Sequence, residues 1–377
     1  MATKGSGQMF GTAADDRPYP ARTGTLTRNL NDVTPEWLTG LMRNRYPGIV
    51  IHGWEVLDLR NGHTTKMRVK LDMNAAGHAA GIPEHVCLKA NWSGGFAEVD
   101  IHALEARFYH HARDAMKVPS PVGYYADWDD SGQGVVVMED LVHAGGTFGH
   151  STDDMGIDKC AEAMLAYAGF HGASWGDPRL KAMHWLPESM NTPIDCDQLR
   201  FMWEWVEKNI VKPEYQAMLP AWFNDDPQRL HRVFDGLSRF EQRQTGPHSI
   251  VHGDSHQGNG YVRTSGERIW IDFQLVRRGR PWRDLAYFMV GALTIEERRG
   301  NDRRLLGIYR DALIAGSAQG VPSLDEIWQT YIRFPVYGAQ AWIANMDEWG
   351  QTGFPMARRF FTAMADFDTA KLLEAED

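Results

Sequence analysis

The stretch IVHGDSHQGNGYV at residues 250–262, with IWIDFQL at 269–275, decides how the chain reads. It gathers His252, Asp254, Asn259 and Asp272 between apolar runs. Apolar residues lead into each carboxylate, which predicts that Asp254 and Asp272 stand at strand ends and face a cleft. Two carboxylates and a carboxamide are hard oxygen donors. They suit Mg²⁺, which keeps several waters and binds through one or two carboxylates plus substrate phosphates. His252 and His256 are four apart, but a glycine lies between them, a strand precedes them and no HExxH pattern occurs. No zinc site is expected.

Upstream, periodicity predicts strands at 49–59, 67–72 and 84–90, another over SPVGYYADWD, and a buried one at 134–140. RNGHTTK reads as a turn and 74–83 as a loop. A helix is expected over 98–114, with Ile101, Leu104, Phe108 and Ala112 on one face. Glu105 falls in the middle of that face. A carboxylate on a buried stripe costs several kcal/mol unless it is paired. After about residue 150 helical spacing takes over, at 157–173, 198–211, 227–244, 282–294, 302–318, 323–346 and 354–375, with strand-like pieces at 249–252 and 268–273.

Asp254 and Asn259 are five residues apart, and Asp272 follows thirteen later. A catalytic aspartate, an asparagine five on and a metal aspartate on the next hairpin is the protein-kinase layout. The wording HGDxHxxN resembles the aminoglycoside phosphotransferase and choline kinase families. IDFQ and the downstream RDLAYF look most like the ecdysteroid kinase-like group and its bacterial relatives. The resemblance is sharp over 250–288 and extends plausibly over 55–141.

It implies an α+β, two-lobed protein-kinase-like fold, with a small β-rich N-lobe and a large helical C-lobe. The expected division is an arm at 1–30, a nucleotide-binding lobe at 31–138, a connector at 139–146 and a helical lobe at 147–377. By resemblance, Asp254 is the catalytic base, Asn259 and Asp272 hold Mg²⁺, His252 braces the loop and Asp284 supports it. A kinase also needs a strand lysine held by a helical glutamate. Lys89 ends the third strand and Glu105 lies sixteen residues later, so each supplies the other's partner. In place of a GxGxxG loop the chain has only Gly62, with Thr64 and Thr65 as possible helpers at a phosphate. Glu139–Leu141 mark the adenine-binding position by location alone.

The implied function is Mg²⁺- and ATP-dependent transfer of a phosphoryl group to a hydroxyl of a small molecule. A partly apolar alcohol or phenol is favoured over an aminoglycoside. A catalytically silent binding module would be expected to lack one essential group, and all are present. A metal-dependent hydrolase would not need Lys89 and Glu105. No APE-type segment follows IDF, which argues against a protein kinase. His63, His143 and His171 read as structural. Trp342 and Trp349 read as core before they read as pocket lining.

The chain has 377 residues, enough for about two domains. Hydrophobic residues make up 43% and charged residues 23%, which excludes a largely disordered chain. The net charge is 39 − 49 = −10, a poor match for wrapping nucleic acid. No run approaches the length of a membrane span. Cys87, Cys160 and Cys196 are scattered and odd in number, against a disulfide framework or zinc site. With no apolar signal core near the N-terminus, a reducing, cytoplasmic setting is expected.

Overall fold

The computed structural model describes residues 25–62, 64–93, 101–189, 197–217, 219–344 and 352–375. Most of the expected N-terminal arm, His63, Cys196 and Trp349 lie outside the described residues. The chain divides into two compact units. One holds the residues up to Thr147 together with His184–Leu186 and Val262–Val276. The other holds Phe148–Met183, Pro187–Tyr261 and Arg277–Asp377. The hairpin segment 262–276, expected with the helical part, therefore packs with the first unit. The reason is the ion cluster around Asp272 described below.

The first unit is built on an antiparallel sheet of β1 (Ile51–Asn61), β2 (Thr65–Met73), β3 (His85–Ala90), β4 (Gly123–Trp128) and β5 (Gly134–Glu139). Their order is β1-β2-β3-β5-β4. Along β2, Thr65, Met67, Val69, Leu71 and Met73 are buried in strict alternation, the period of a half-buried strand. They join Val86, Leu88, Val135 and Val137 in one core. The helix α1 (Pro35–Met42) adds Leu38, Leu41 and Met42 to it. Thr34 caps α1 by accepting the Trp37 amide, with Pro35 at the first helical position.

The stretch 74–83 is not all loop. Asn74 accepts the Gly77 amide and starts a short helix α2, Ala75–Ala79. A cap and three alanines outweigh the two glycines that suggested a loop. The expected helix at 98–114 is described as α3 (Ile101–Arg107), continued by a wide turn over Phe108–Ala112. It covers β5 on the face away from the main core. The approach is close enough that a Cβ on Gly134 would lie 2.0 Å from the His102 carbonyl oxygen, so glycine is required there. A short helix, α4 (Leu141–Ala144), follows β5.

In the second unit the longest segments are helical. Helix α5 (Ile157–Gly172) and the helices Trp282–Ala292, Ile295–Ala315, Pro335–Ile343 and Gly353–Asp366 enclose Tyr167, Phe170, Phe288, Tyr309 and Phe360. The helix expected from 302 begins at Ile295, where Thr294 and Glu297 form a reciprocal cap. The helix expected over 323–346 is two, Leu324–Tyr331 and Pro335–Ile343, because Pro335 cannot continue the first and suits the start of the second. The one expected over 354–375 also divides, at Asp368 with φ +52°. A short antiparallel pair, Ser249–Val251 with Arg277–Gly279, leads into the HGD loop. Among the described residues no helix is long and apolar enough to cross a membrane.

Candidate active site

In the first unit the structure joins Lys89, Glu105 and Asp272. Lys89 Nζ lies 2.6 Å from Glu105 Oε2 and 2.8 Å from Asp272 Oδ1. Lys89 and Glu105 are almost wholly buried, while Asp272 keeps 22% of its side chain exposed. Strand β3 delivers the lysine and α3 the glutamate. The carboxylate in the middle of an apolar helical face thus has its counter-ion. Burial works against the Lys89 ammonium, yet Asp272 and Glu105 more than offset it and raise its pKa. Burial raises the Glu105 carboxyl, opposed by Lys89.

Asp272 adopts a left-handed conformation, φ 66° and ψ 64°, two residues after the strand Arg268–Trp270. That turn aims the next amide back. Phe273 N–H donates to Glu105 Oε1 at 3.1 Å, and the Phe273 ring stacks on Phe108 with centroids 3.9 Å apart. One turn before Glu105, His102 Nδ1 lies 3.1 Å from Gln274 Nε2. Burial, reinforced by Lys89, lowers His102 to about 3, so its ring is neutral and Nδ1 accepts. The helix therefore grips the IDFQ segment at two successive residues, Phe273 and Gln274, and β3 holds Asp272 before them through Lys89.

Gly62 sits at the exposed β1–β2 turn, its N–H donating to the Thr64 carbonyl at 3.2 Å. Thr64 and Thr65 are buried, and Thr65 pairs in register with Asn61 and Ala90. Their side chains are part of the packing rather than of the open turn. At the end of β5, Glu139 takes a two-pronged ion pair from Arg263 and the Val122 amide. Burial pushes the Glu139 carboxyl up, but these donors hold it below its ordinary value. Leu141 is buried at the start of α4.

In the second unit the structure joins His252, Asp254, Asn259 and Asp284. Asp284 Oδ2 accepts the His252 amide at 2.6 Å, and Oδ1 accepts the Gly253 amide at 3.0 Å. His252 Nδ1 accepts the Asp254 amide at 3.2 Å. The Gly253 carbonyl accepts from Arg283 at 2.7 Å and from the Tyr337 hydroxyl at 3.0 Å. Asn259 Nδ2 donates to the Asp254 carbonyl at 2.8 Å and to its Oδ2 at 3.1 Å. His171 is structural: its ring bridges the Tyr309 hydroxyl at 3.0 Å and Asp284 Oδ2 at 3.3 Å. His143 stacks on His85. Trp342 is buried, edge-on to His256 and stacked on Tyr287.

Two residues of interest are absent from the sequence reading. Tyr287 hydrogen-bonds the Asp254 side chain, and burial followed by the Asp254 charge holds its hydroxyl well above the ordinary range. Its spacing of three from Asp284 puts both on one helical face, and that spacing was the available signal. Lys66 Nζ stands 3.5 Å from Asp272 Oδ2. Its link to Lys89 lies in strand register, which the sequence does not display.

Each unit carries oxygen donors of the kind that fits a hard cation. The Asn259 amide nitrogen is turned to Asp254, which leaves Oδ1 as the atom offered to a metal. Asp272 presents a partly exposed carboxylate. No group of three or more His, Cys, Asp or Glu that could hold a metal ion occurs among the described residues. Such a group is unnecessary where water and phosphate complete the shell.

The sequence pattern of the ecdysteroid kinase-like family matches residues 101–319, more than half of the chain. The chain belongs to the ecdysteroid kinase-like family. None of the individually curated proteins matches it significantly. Among solved structures, an ethanolamine kinase from Plasmodium vivax aligns with a TM-score of 0.52 at 10% identity, covering 84% of this chain and 83% of its own. A choline kinase from Cryptosporidium parvum Iowa II aligns with a TM-score of 0.51 at 13% identity, covering 89% of this chain and 95% of its own. The likeness establishes the fold, an α+β kinase-like fold with a β-rich and a helical part.

Proposed function

We propose that the protein transfers the γ-phosphoryl group of Mg²⁺-bound ATP to a hydroxyl of a small molecule. The observation that carries this reading is the buried Lys89 held between Glu105 and Asp272. Burying an ammonium and a carboxylate costs several kcal/mol each, and a well-packed apolar pair serves stability as well or better. An ion cluster of this kind, ending in a partly exposed carboxylate, is suited to phosphates and a metal ion.

Asp272 and Asn259 would hold Mg²⁺, which would supply charge neutralisation as negative charge develops during transfer. Lys89 holds the α- and β-phosphates, and Glu105 holds Lys89. The backbone near Gly62 and the Glu139–Leu141 segment would take the remaining nucleotide contacts. Asp254 orients the acceptor hydroxyl and receives its proton as the oxygen attacks phosphorus and the bond to ADP breaks. Asp284 and His252 fix the loop so that Asp254 needs little reorganisation. Positioning and charge neutralisation carry the rate.

The acceptor we favour is a partly apolar alcohol or phenol. Tyr287, Tyr337, Trp342 and His256 group their rings near Asp254. Both signs of charge border these rings: Asp254 meets Tyr287 and His256, and the Arg283 guanidinium lies over Tyr337, 4.5 Å from its centroid, so the preference rests on the aromatic lining rather than on charge. The test is ADP release from Mg·ATP across a library of hydroxylated metabolites and antibiotics, with Asp254→Asn in parallel. Acceptor-dependent release by the wild type alone supports the reading. Release that persists in the variant, or none with any acceptor, counts against it.

A further inference from the structure

Strand register places Lys66 of β2 directly opposite Lys89 of β3. Directly opposed residues of an antiparallel pair share one face of the sheet, and like charges there repel. The repulsion is relieved by a shared anion. Lys89 Nζ is 2.8 Å from Asp272 Oδ1, and Lys66 Nζ is 3.5 Å from Asp272 Oδ2. The two lysines differ in surroundings. Lys89 is buried and has Glu105 as a second partner, whereas the Lys66 side chain is 43% exposed.

Formal charges make the consequence plain. Lys66 and Lys89 contribute +2, and Glu105 and Asp272 contribute −2, so the cluster sums to zero. Without Lys66 it would stand at −1, a poor reception for a polyphosphate. A metal ion held by Asp272 would take up that carboxylate's charge and free Lys66 from this ion pair, leaving a partly exposed ammonium for a further anion. The turn before Lys66 has a single glycine, so fewer backbone amides can approach phosphate than in a glycine-rich loop.

We propose that Lys66 is a second phosphate-binding lysine, which takes the β- and γ-phosphate oxygens of the nucleotide once Asp272 ligates the metal. The inference rests on the nucleotide reading given above. As a structural ion pair the Lys66–Asp272 contact is worth little, because it is long and half exposed. A charge-assisted contact to phosphate is worth more.

Calorimetric titration of the full chain with Mg·ATP and with AMP, for wild type, Lys66→Ala and Lys66→Arg, tests this. Lys66→Ala should bind Mg·ATP about tenfold more weakly. Its AMP affinity and melting temperature should match wild type, and Lys66→Arg should recover most of the loss. Equal affinity of Lys66→Ala and wild type for Mg·ATP overturns the proposal and leaves the nucleotide reading standing. An equal loss for ATP and AMP also overturns it, since that marks a structural effect. Failure of the wild type to bind Mg·ATP removes the nucleotide reading and this inference with it.

Discussion

Asp284 Oδ2 accepts the backbone amide of His252 at 2.6 Å, so a carboxylate thirty-two residues downstream sets the path of the HGD loop. Burial raises the Asp284 carboxyl, but His171 and the charges around it hold it below its ordinary value of 3.8. A depressed pKa in the folded state contributes stability above the unfolded value, and that contribution is lost as pH falls through the folded one. Asp284→Asn should therefore cost about 1.5–3 kcal/mol at pH 7, the range for hydrogen bonds to a charged acceptor. The difference from wild type should shrink below about pH 4. Urea midpoints at pH 7 and pH 3 check this, and an equal gap at both would be the wrong sign for an ionised Asp284.

Lys89 is the counter-ion of two carboxylates, one of them buried. Lys89→Ala should destabilise the fold by about 3–5 kcal/mol, because it leaves the buried Glu105 without its counter-ion. Adding Glu105→Gln should restore part of that loss, since a neutral amide is cheaper to bury than an unpaired carboxylate. Chemical denaturation of the single and double variants measures the coupling. Strict additivity would mean that the pair is not energetically joined.

Tyr287 donates to Asp254 and stays protonated across neutral pH, its hydroxyl being held well above the ordinary range by burial and by the Asp254 charge. Tyr287→Phe removes that donor while keeping the ring that packs on Trp342 and Phe360. We expect kcat to fall about tenfold, the weight of one hydrogen bond to a charged group, with Mg·ATP affinity unchanged. A variant with full turnover would show that the hydroxyl does not position Asp254.

Glu241 carries a pH signature away from the active-site loop. Burial pushes its carboxyl up to about 7, against the attraction of Arg280. A raised folded pKa contributes stability that is fully present below the unfolded value, near 4.5, and is lost as pH rises through 7. The loss across that window is on the order of 3 kcal/mol. Glu241→Gln should flatten this decline. Denaturant midpoints at pH 5 and pH 7.5 read it, and an unchanged slope in the variant would place the titration elsewhere.

Much of the candidate site is legible because its chemistry is local in sequence. Asp254, Asn259 and Asp272 fall within one loop and the next hairpin, so spacing alone marks them. Glu105 is legible for a different reason, as a charge on an apolar helical face that demands a partner. Lys66 and Tyr287 were not read, because their links run through strand register and across a helix–loop contact. Helix breaks divide the same way. Pro335 announces its break in the sequence, whereas Asp368 does not, since an aspartate enters a left-handed conformation only when its surroundings require it. The short helix after Asn74 was hidden by glycines that usually mark loops.

The most direct test is calorimetric titration of ATP into the wild type and Asp272→Ala, each with Mg²⁺ and with the metal chelated. Saturable binding by the wild type only when Mg²⁺ is present, weakened tenfold or more in Asp272→Ala, is the expected result. Absence of binding by the wild type, or binding indifferent to both the metal and Asp272, would contradict a Mg·ATP-dependent phosphotransferase.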